Sequence, residues 1–170
     1  MPWTIPPTWQ AGVKDQPTLT DYNQLIRDNL NFLLGGRDIQ FKYYIGVDKT
    51  TVSTTFAAVD TTNFRLKSGV IYSGRYLVIA HAEWAVTTLN NKIFGDIWVD
   101  GTTRPANGDA TNGLGSWNNP NQNSDKMLLI GYFTGLSVAA HNFDIAWKVS
   151  AGTGTIFTSV AALHMIGMEV

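Results

Sequence analysis

The chain of 170 residues contains no cysteine. This absence excludes disulfide bonds, zinc sites built from thiolates and catalysis by a cysteine nucleophile. It does not identify the compartment, because a stable particle outside the cell can also be built without disulfides. Long hydrophobic runs are missing as well, since no stretch approaches the roughly 20 apolar residues that a helix needs to cross a bilayer. We therefore expect a soluble protein that does not insert into membranes.

Charged residues are scarce, at 15% of the chain against roughly 25% in an average soluble protein. The net charge is −1, and no run of lysines or arginines is present to neutralise a phosphate backbone, so nucleic acid is not an expected partner. Low surface charge suits a chain that covers part of itself with its own copies. A polar, uncharged surface rich in asparagine and threonine is the alternative explanation.

Residues 1–19 carry neither the basic segment nor the apolar segment of a secretory signal, so we expect synthesis in the cytoplasm. Prolines at positions 2, 6 and 7 disfavour a helix, which predicts an extended leader. Trp3 and Trp9 are candidate anchors that dock this leader on a larger assembly, because tryptophan is enriched at the centres of interfaces. The alternative is a leader that folds back onto its own domain.

Residues 20–36 are predicted to form one short amphipathic helix. Thr20 is suited to cap its N-terminus, and the glycines at positions 35 and 36 are suited to end it. One face carries apolar residues at spacings of three and four, namely Tyr22, Leu25, Ile26, Leu30 and Leu33. A helix this short is marginal alone in water, so the stripe has to be covered. It packs either on the chain's own sheet or, as we favour, against the same helix of other subunits around a threefold axis.

From Ile39 onward the hydrophobic period is two, which predicts a β-domain at 37–170. Many short strands without intervening helices indicate an antiparallel sandwich or barrel. Two inward-facing rows are expected, Tyr76, Val78, Ala80, Ala82 and Trp84 in one and Phe143, Ile145, Trp147 and Val149 in the other. Asp144 is expected to face solvent. Segment 126–133, "KMLLIGYF", is apolar on both faces, which predicts a strand covered on both sides, in mid-sandwich or at a subunit interface.

The N-terminal segment resembles that of many bacteriophage tail-fibre and virion structural proteins. In those proteins a Trp-x-x-Gly turn precedes a Leu-Thr-x-x-x-Asn-x-x-x-Arg-Asp-Asn helix. The matching positions here are Trp9, Gly12, Leu19, Thr20, Asn23, Ile26, Arg27, Asp28, Asn29, Leu30 and Leu33. The motif covers about a sixth of the chain.

A second resemblance lies in the β-domain. Segment 73–86, "SGRYLVIAHAEWAV", resembles the Gly-x-Tyr-x-Val core strand of C1q/TNF-like jelly rolls, and the closing "SVAALHMIGMEV" is similar to their last strand. Together the two resemblances imply an antiparallel jelly-roll head behind a short helix, in a homotrimeric phage virion protein. In such trimers the helices sit near the threefold axis and the heads pack side by side through apolar strand faces.

These resemblances imply a non-enzymatic role on the particle surface. The protein is expected either at the tip of a tail fibre or appendage, where it contacts the host, or on the capsid as a decoration protein. Its expected partners are its own copies and, through the leader, other virion proteins. The alternative is a bacterial C1q-like glycan-binding lectin that is not associated with a virus.

A polar segment at 101–126 is longer than the roughly 12–15 residues beyond which structureless loops become uncommon. Asn-Gly pairs at 107–108 and 112–113 predict turns, so part of the segment is a candidate hairpin. Trp117, Asn118 and Asn119 combine a flat apolar ring with amides, a combination suited to a sugar, and a host-surface glycan is the candidate ligand. The alternative is that Trp117 is tucked under the loop or against a neighbouring subunit.

The sequence carries no phosphate-binding glycine loop, nucleophile elbow or His-Glu-x-x-His pair. His81 and Glu83 share one face of a predicted strand, and His141 and His164 lie on other strands. Such residues can meet around a metal, but histidines satisfied within a sheet are commoner. We therefore predict no catalytic, metal or cofactor site, and no enzymatic activity.

Overall fold

The computed structural model describes residues 37–118 and 124–170. The predicted leader at 1–19 with Trp3 and Trp9, the predicted helix at 20–36 with its apolar stripe, and Asn119 lie outside the described residues. Those predictions therefore stay predictions. The unit Asp38–Val170 carries the fold that follows.

The described residues form β-strands joined by turns and loops, and they contain no helix. The strands are β1 (Ile39–Tyr44), β2 (Lys49–Thr51), β3 (Ala57–Ala58), β4 (Arg65–Ile71), β5 (Arg75–Val86), β6 (Lys92–Val99), β7 (Gly115–Asn118), β8 (Asp125–Thr134), β9 (Ala139–Val149), β10 (Gly154–Phe157) and β11 (Leu163–Glu169). No helix long and apolar enough to cross a bilayer occurs at 37–118 or 124–170.

The strands form two antiparallel sheets. In sheet 1, the long strand β5 pairs with β8 along one edge and with β11 and then β10 along the other, while β1 extends the sheet beyond β11 and β2 beyond β10. In sheet 2, β4 and β3 pair in turn with β9, which is followed by β6 and β7. Each sheet is therefore four strands wide.

The strand order identifies the architecture. The pairs β1/β2, β3/β4 and β10/β11 each act as one interrupted strand, which leaves eight strands. Numbered along the chain, they follow the order 1-8-3-6 in sheet 1 and 2-7-4-5 in sheet 2, which is the order of a jelly roll. The prediction of a mainly β, antiparallel jelly-roll sandwich is confirmed for the described residues.

The core lies between the two sheets and follows the predicted alternation. Both expected inward rows, on β5 and on β9, are at most 3% exposed. Rings join the sheets: Tyr76 stacks on Phe143 at a centroid distance of 4.8 Å, and Trp84 meets Trp147 edge-on at 6.1 Å. Because the residues opposite each other come from strands far apart in the chain, the core forms only when both sheets are complete.

Asp144 corrects one sequence-based prediction. It lies on the outer face of sheet 2, as the alternation on β9 requires, yet its side chain is 0% exposed rather than solvated. Arg65, its direct partner on β4, covers it and donates two hydrogen bonds to its two carboxylate oxygens, both of 2.8 Å. The alternation correctly predicts on which face of the sheet a residue lies. Whether its side chain is exposed to solvent there depends on whether a long side chain from the neighbouring strand covers it.

The long segment after β6 is structured rather than a bare loop. Gly113 takes a positive φ of 69° and pairs with Asp109, which forms the predicted turn, and β7 follows directly. Asn107 reaches the free edge of β8: its side-chain nitrogen donates to the Ile130 carbonyl at 2.8 Å, and the Tyr132 N–H donates to its side-chain oxygen at 2.9 Å. The edge of sheet 1 is thus covered at this point.

Candidate functional site

The outer face of sheet 1 carries three rows of four side chains, set by the strand registers. The rows are Tyr132–Leu77–Met168–Ile39, Ile130–Ile79–Ile166–Phe41 and Leu128–His81–His164–Tyr43. We call this set the apolar face. Apart from the two histidines, its members are isoleucine, leucine, methionine, phenylalanine and tyrosine. None of these side chains carries a formal charge at neutral pH.

The apolar face is open to solvent in the subunit. Phe41 is 74% exposed, and Ile39, Tyr43, Leu128 and Ile130 are each between 45% and 59% exposed. Rows about 7 Å apart on strands about 4.8 Å apart give a contiguous patch on the order of 400 Å². Single exposed apolar residues are normal on a protein surface, and a contiguous patch of this size is on the scale of the largest patch of a typical monomer, which is often functional.

The apolar face has charges only at its ends. Arg75 follows the first row along β5, and Glu83 follows the third row, where it is paired in register with Lys126 of β8. Glu83 also accepts a hydrogen bond from the Ser124 hydroxyl. An apolar centre with charged ends is the arrangement of a protein–protein interface.

Segment 127–133 supplies one edge of the apolar face. Its inward residues, Met127, Leu129 and Phe133, are buried in the core, whereas Leu128 and Ile130 remain about half exposed. The subunit therefore covers this strand on one side only, and the mid-sandwich alternative is wrong. The interface alternative stays a prediction.

The opposite outer face, on sheet 2, is satisfied by the subunit itself. Asp96 is 0% exposed and accepts hydrogen bonds from Arg104 at 2.6 Å and from the Trp98 indole at 3.1 Å. Burial raises the pKa of Asp96, and the Ile97 N–H, Arg104 and Trp98 only partly offset this effect. The Phe56 ring lies between the cations of Arg104, at 4.6 Å, and Lys148, at 4.8 Å. Within the part of the chain that the structure describes, the outer face of sheet 1 has no comparable cover.

His141 lies between an aspartate and a serine in an arrangement that superficially resembles a hydrolase triad. Its Nδ1 is 2.6 Å from Asp100 Oδ2, while its Nε2 is 3.4 Å from the Ser137 hydroxyl and 3.0 Å from the Ser137 carbonyl oxygen. A carboxylate and a carbonyl both accept, so this geometry is fully satisfied when both ring nitrogens carry a proton. In that doubly protonated form the imidazole has no lone pair with which to activate Ser137.

The electrostatics of this group agree with a structural cation. Burial lowers the pKa of His141, but the Ser137 carbonyl and the Asp100 carboxylate more than offset this effect, so the pKa lies above its ordinary value. Burial raises the pKa of Asp100, but the hydrogen bond from the Asn142 N–H and the interaction with His141 more than offset this effect. The pKa of Asp100 therefore lies below its ordinary value. The pair joins β9 to the end of β6.

We expect His141→Gln to lose stability mainly at mildly acidic pH. Because the folded-state pKa of His141 is raised, its contribution is fully present below the ordinary value near 6.5 and disappears as the pH rises through the raised value. The loss should be about 1 kcal/mol, since Asp100 is 49% exposed. Denaturant unfolding of both proteins from pH 5.5 to 9 measures it. A difference that grows with pH contradicts the assignment.

Of the sequence-predicted ligand residues, Trp117 and Asn118 are described. Trp117 pairs in register with the buried Ile93 and packs, partly buried, against the core. Asn118 is exposed at the end of β7. The structure therefore holds the indole at the margin of the sandwich interior, and the glycan hypothesis stays a prediction.

Two of the three histidines in the chain meet on the apolar face. His81 and His164 are direct partners between β5 and β11, with ring centroids 6.5 Å apart, and Tyr43 meets the His164 ring edge-on at 5.3 Å. No group of three or more histidine, aspartate or glutamate side chains suited to a metal occurs within the described ranges. Sequence reasoning placed His81 and His164 on different strands, and only the strand register brings them together.

Comparison with known proteins gives distant structural likenesses. No protein-family model and no curated protein matches this chain. Eiger TNF from S. frugiperda is similar at 8% identity and a TM-score of 0.41, over 76% of this chain and 90% of that chain. Murine APRIL is similar at 10% identity and a TM-score of 0.39, over 76% and 98%. The tripod from the baseplate of bacteriophage Tuc2009 is similar at 10% identity and a TM-score of 0.37, over 94% and 72%.

Proposed function

We propose that this protein is a non-enzymatic, homotrimeric structural protein of a phage virion, exposed on the particle surface. The observation that carries the proposal is the apolar face of sheet 1, which no residue at 37–118 or 124–170 covers. The proposed role is the tip of a tail fibre or appendage, or decoration of the capsid. The leader is proposed to attach the trimer to another virion protein.

The apolar face favours self-association energetically. Removing about 400 Å² of apolar surface from water contributes on the order of 10 kcal/mol per subunit, and only the surplus over the ~4–15 kcal/mol that association costs appears as binding free energy. The Phe41 edge of the face and the Ile130 edge lie on opposite strands of sheet 1. In a cyclic trimer, one part of the apolar face of each subunit contacts the next subunit, and the other part contacts the previous one. The same surface can therefore close the ring.

The number of subunits and the virion location are supported by the sequence resemblance of the leader and helix. The helix predicted at 20–36 would add a second contact to that of the sheet faces if its apolar stripe meets its copies on a threefold axis. The low content of charged residues, 15%, agrees with extensive contact between copies.

The oligomeric state is tested by light scattering on the full chain. We expect a trimer at micromolar concentration, because both proposed contacts are apolar and weakly dependent on salt. A monomeric mass at that concentration would contradict the proposal, whatever the protein's location.

The location is tested by electron microscopy of particles labelled with an antibody against the β-domain. Label at the distal end of a tail appendage supports the host-contact role, and label distributed over the capsid supports decoration. Protein found in bacterial culture supernatant with no particle attached would overturn the virion role and favour the glycan-binding lectin.

A further inference from the structure

Two loops continue the outer surface of sheet 1 beyond the apolar face. Loop 45–48 separates β1 from β2, and loop 158–162 separates β10 from β11. We call them the paired loops. Loop 45–48 begins two positions after Tyr43, and loop 158–162 ends two positions before His164. Both loops therefore adjoin the third row of the apolar face.

The paired loops expose apolar side chains. Val47 is 74% exposed, Val160 is 78% exposed, and Ile45 is 53% exposed. Segments 45–47 and 158–162 contain no charged residue. The surface that the loops add to the apolar face is therefore of the same chemical kind.

Hydrogen bonds hold the paired loops to each other. The Gly46 N–H donates to the Thr158 carbonyl at 2.9 Å, and the Thr158 hydroxyl donates to the Val47 carbonyl at 2.8 Å. The Asp48 carboxylate accepts from the N–H groups of Thr158 and Ser159, both at 2.8 Å. Loops that are already fixed in this way lose little conformational freedom on binding, which favours their use in a contact.

The apolar face alone is smaller than a standard interface. It measures on the order of 400 Å². A standard interface buries about 800 Å² per partner, so we expect a contact between copies to reach beyond the apolar face. Arg75 lies beyond the first row, and Glu83 and Lys126 lie beyond the third row on β5 and β8. The apolar surface continues instead at the paired loops, beyond the third row on β1 and β11.

We propose that the paired loops belong to the contact between copies of this chain, and that those of one subunit pack against Leu128 and Ile130 of the next. This inference rests on the proposed homotrimer. A cyclic ring joins two different parts of the same surface. Loop 45–48 follows β1 at one edge of sheet 1, whereas Leu128 and Ile130, each about half exposed, lie on β8 at the other edge. The two parts are both apolar and lie on opposite sides of the sheet, as such a ring requires.

Val47→Asp and Val160→Asp test this contact in the full chain, with Val138→Asp as the matched control. Val138 is 66% exposed and lies between β8 and β9, away from the paired loops. An aspartate at 47 or 160 stays hydrated in the separate subunit and loses its water in the assembly. Analytical ultracentrifugation over a dilution series gives the association constant, and circular dichroism verifies the fold. We expect each loop variant to lower that constant by about a hundredfold or more, and the control to keep the wild-type value.

The absence of cysteine allows a second test, which identifies the surface that the loops contact. Leu128→Cys and Val160→Cys chains of different mass are mixed, allowed to exchange subunits and treated with a short bismaleimide cross-linker. We expect covalent pairs that contain one chain of each kind. Either variant alone should give no cross-linked pair, because its cysteine faces a part of the next subunit that carries none.

The outcomes separate this inference from the proposed function. A wild type that is monomeric at micromolar concentration overturns the homotrimer itself. A trimeric wild type whose loop variants associate as tightly as the Val138→Asp control overturns the loop contact and leaves the trimer standing. A mixture without pairs of the two kinds of chain, or cross-links within one variant alone, overturns the assignment of the loops to the β8 side.

Discussion

Ile130→Asp is expected to convert the trimer into folded monomers. Ile130 lies in the middle row of the apolar face, beside Ile79, and is 45% exposed in the subunit. An aspartate there costs an isolated subunit little, since water still reaches it. In the assembly it becomes a buried charge without a partner, which costs about 3–5 kcal/mol for every subunit. The association constant should fall by more than a thousandfold.

Light scattering at equal concentrations measures this effect, and thermal unfolding followed by circular dichroism verifies the fold. Phe41→Asp, on the opposite edge of the apolar face and 74% exposed, should act in the same way. Val138→Asp is the matched control, because Val138 is 66% exposed in the connection between β8 and β9 and lies off the face. If both face variants remain trimeric, the contact between copies lies elsewhere.

Arg65→Met is expected to destabilise the fold by about 3–5 kcal/mol, the usual effect of removing one partner from a buried ion pair. Asp144, which is 0% exposed with Arg65 in place, would lose the guanidinium that donates to both of its oxygens. A methionine keeps most of the apolar stem of the arginine, so the loss reports the charge rather than the packing. Denaturant unfolding at a fixed protein concentration gives the free energy.

The double variant Arg65→Met/Asp144→Leu separates two explanations of that loss. If the cost comes from an uncompensated buried carboxylate, removing the carboxylate as well should restore most of the stability. A double variant as unstable as Arg65→Met would show that packing between β4 and β9, rather than the lone charge, is responsible.

The fold class was predictable because it follows from the alternation of apolar residues that are close together in the chain. The alternation on β5 and β9 identified both inward rows, and the absence of helical periodicity after Ile39 indicated a sandwich. Burial on the outer faces was not predictable in the same way. Asp144 is covered by Arg65, a residue 79 positions away, and no local pattern contains that pairing.

The apolar face was only partly visible in the sequence. Segment 126–133 showed two apolar sides; one of them is buried in the core, and the cover expected on the other stays a prediction. The face itself depends on the register between β1, β11, β5 and β8, which are separated along the chain. The rows through Ile79, Phe41 and His164 therefore appear only in three dimensions. For the same reason the pairing of His81 with His164 could not be read from spacing along the chain.

The amide of Asn107 limits how copies of this protein can grow into larger structures. Its side chain is hydrogen-bonded to the Ile130 carbonyl and the Tyr132 N–H of the edge strand β8. A strand of another molecule therefore cannot pair with these two backbone groups. Continuous ribbons built by edge-to-edge addition are blocked there. Addition of another strand at this position would first have to displace the Asn107 amide, which protects this part of the edge of sheet 1.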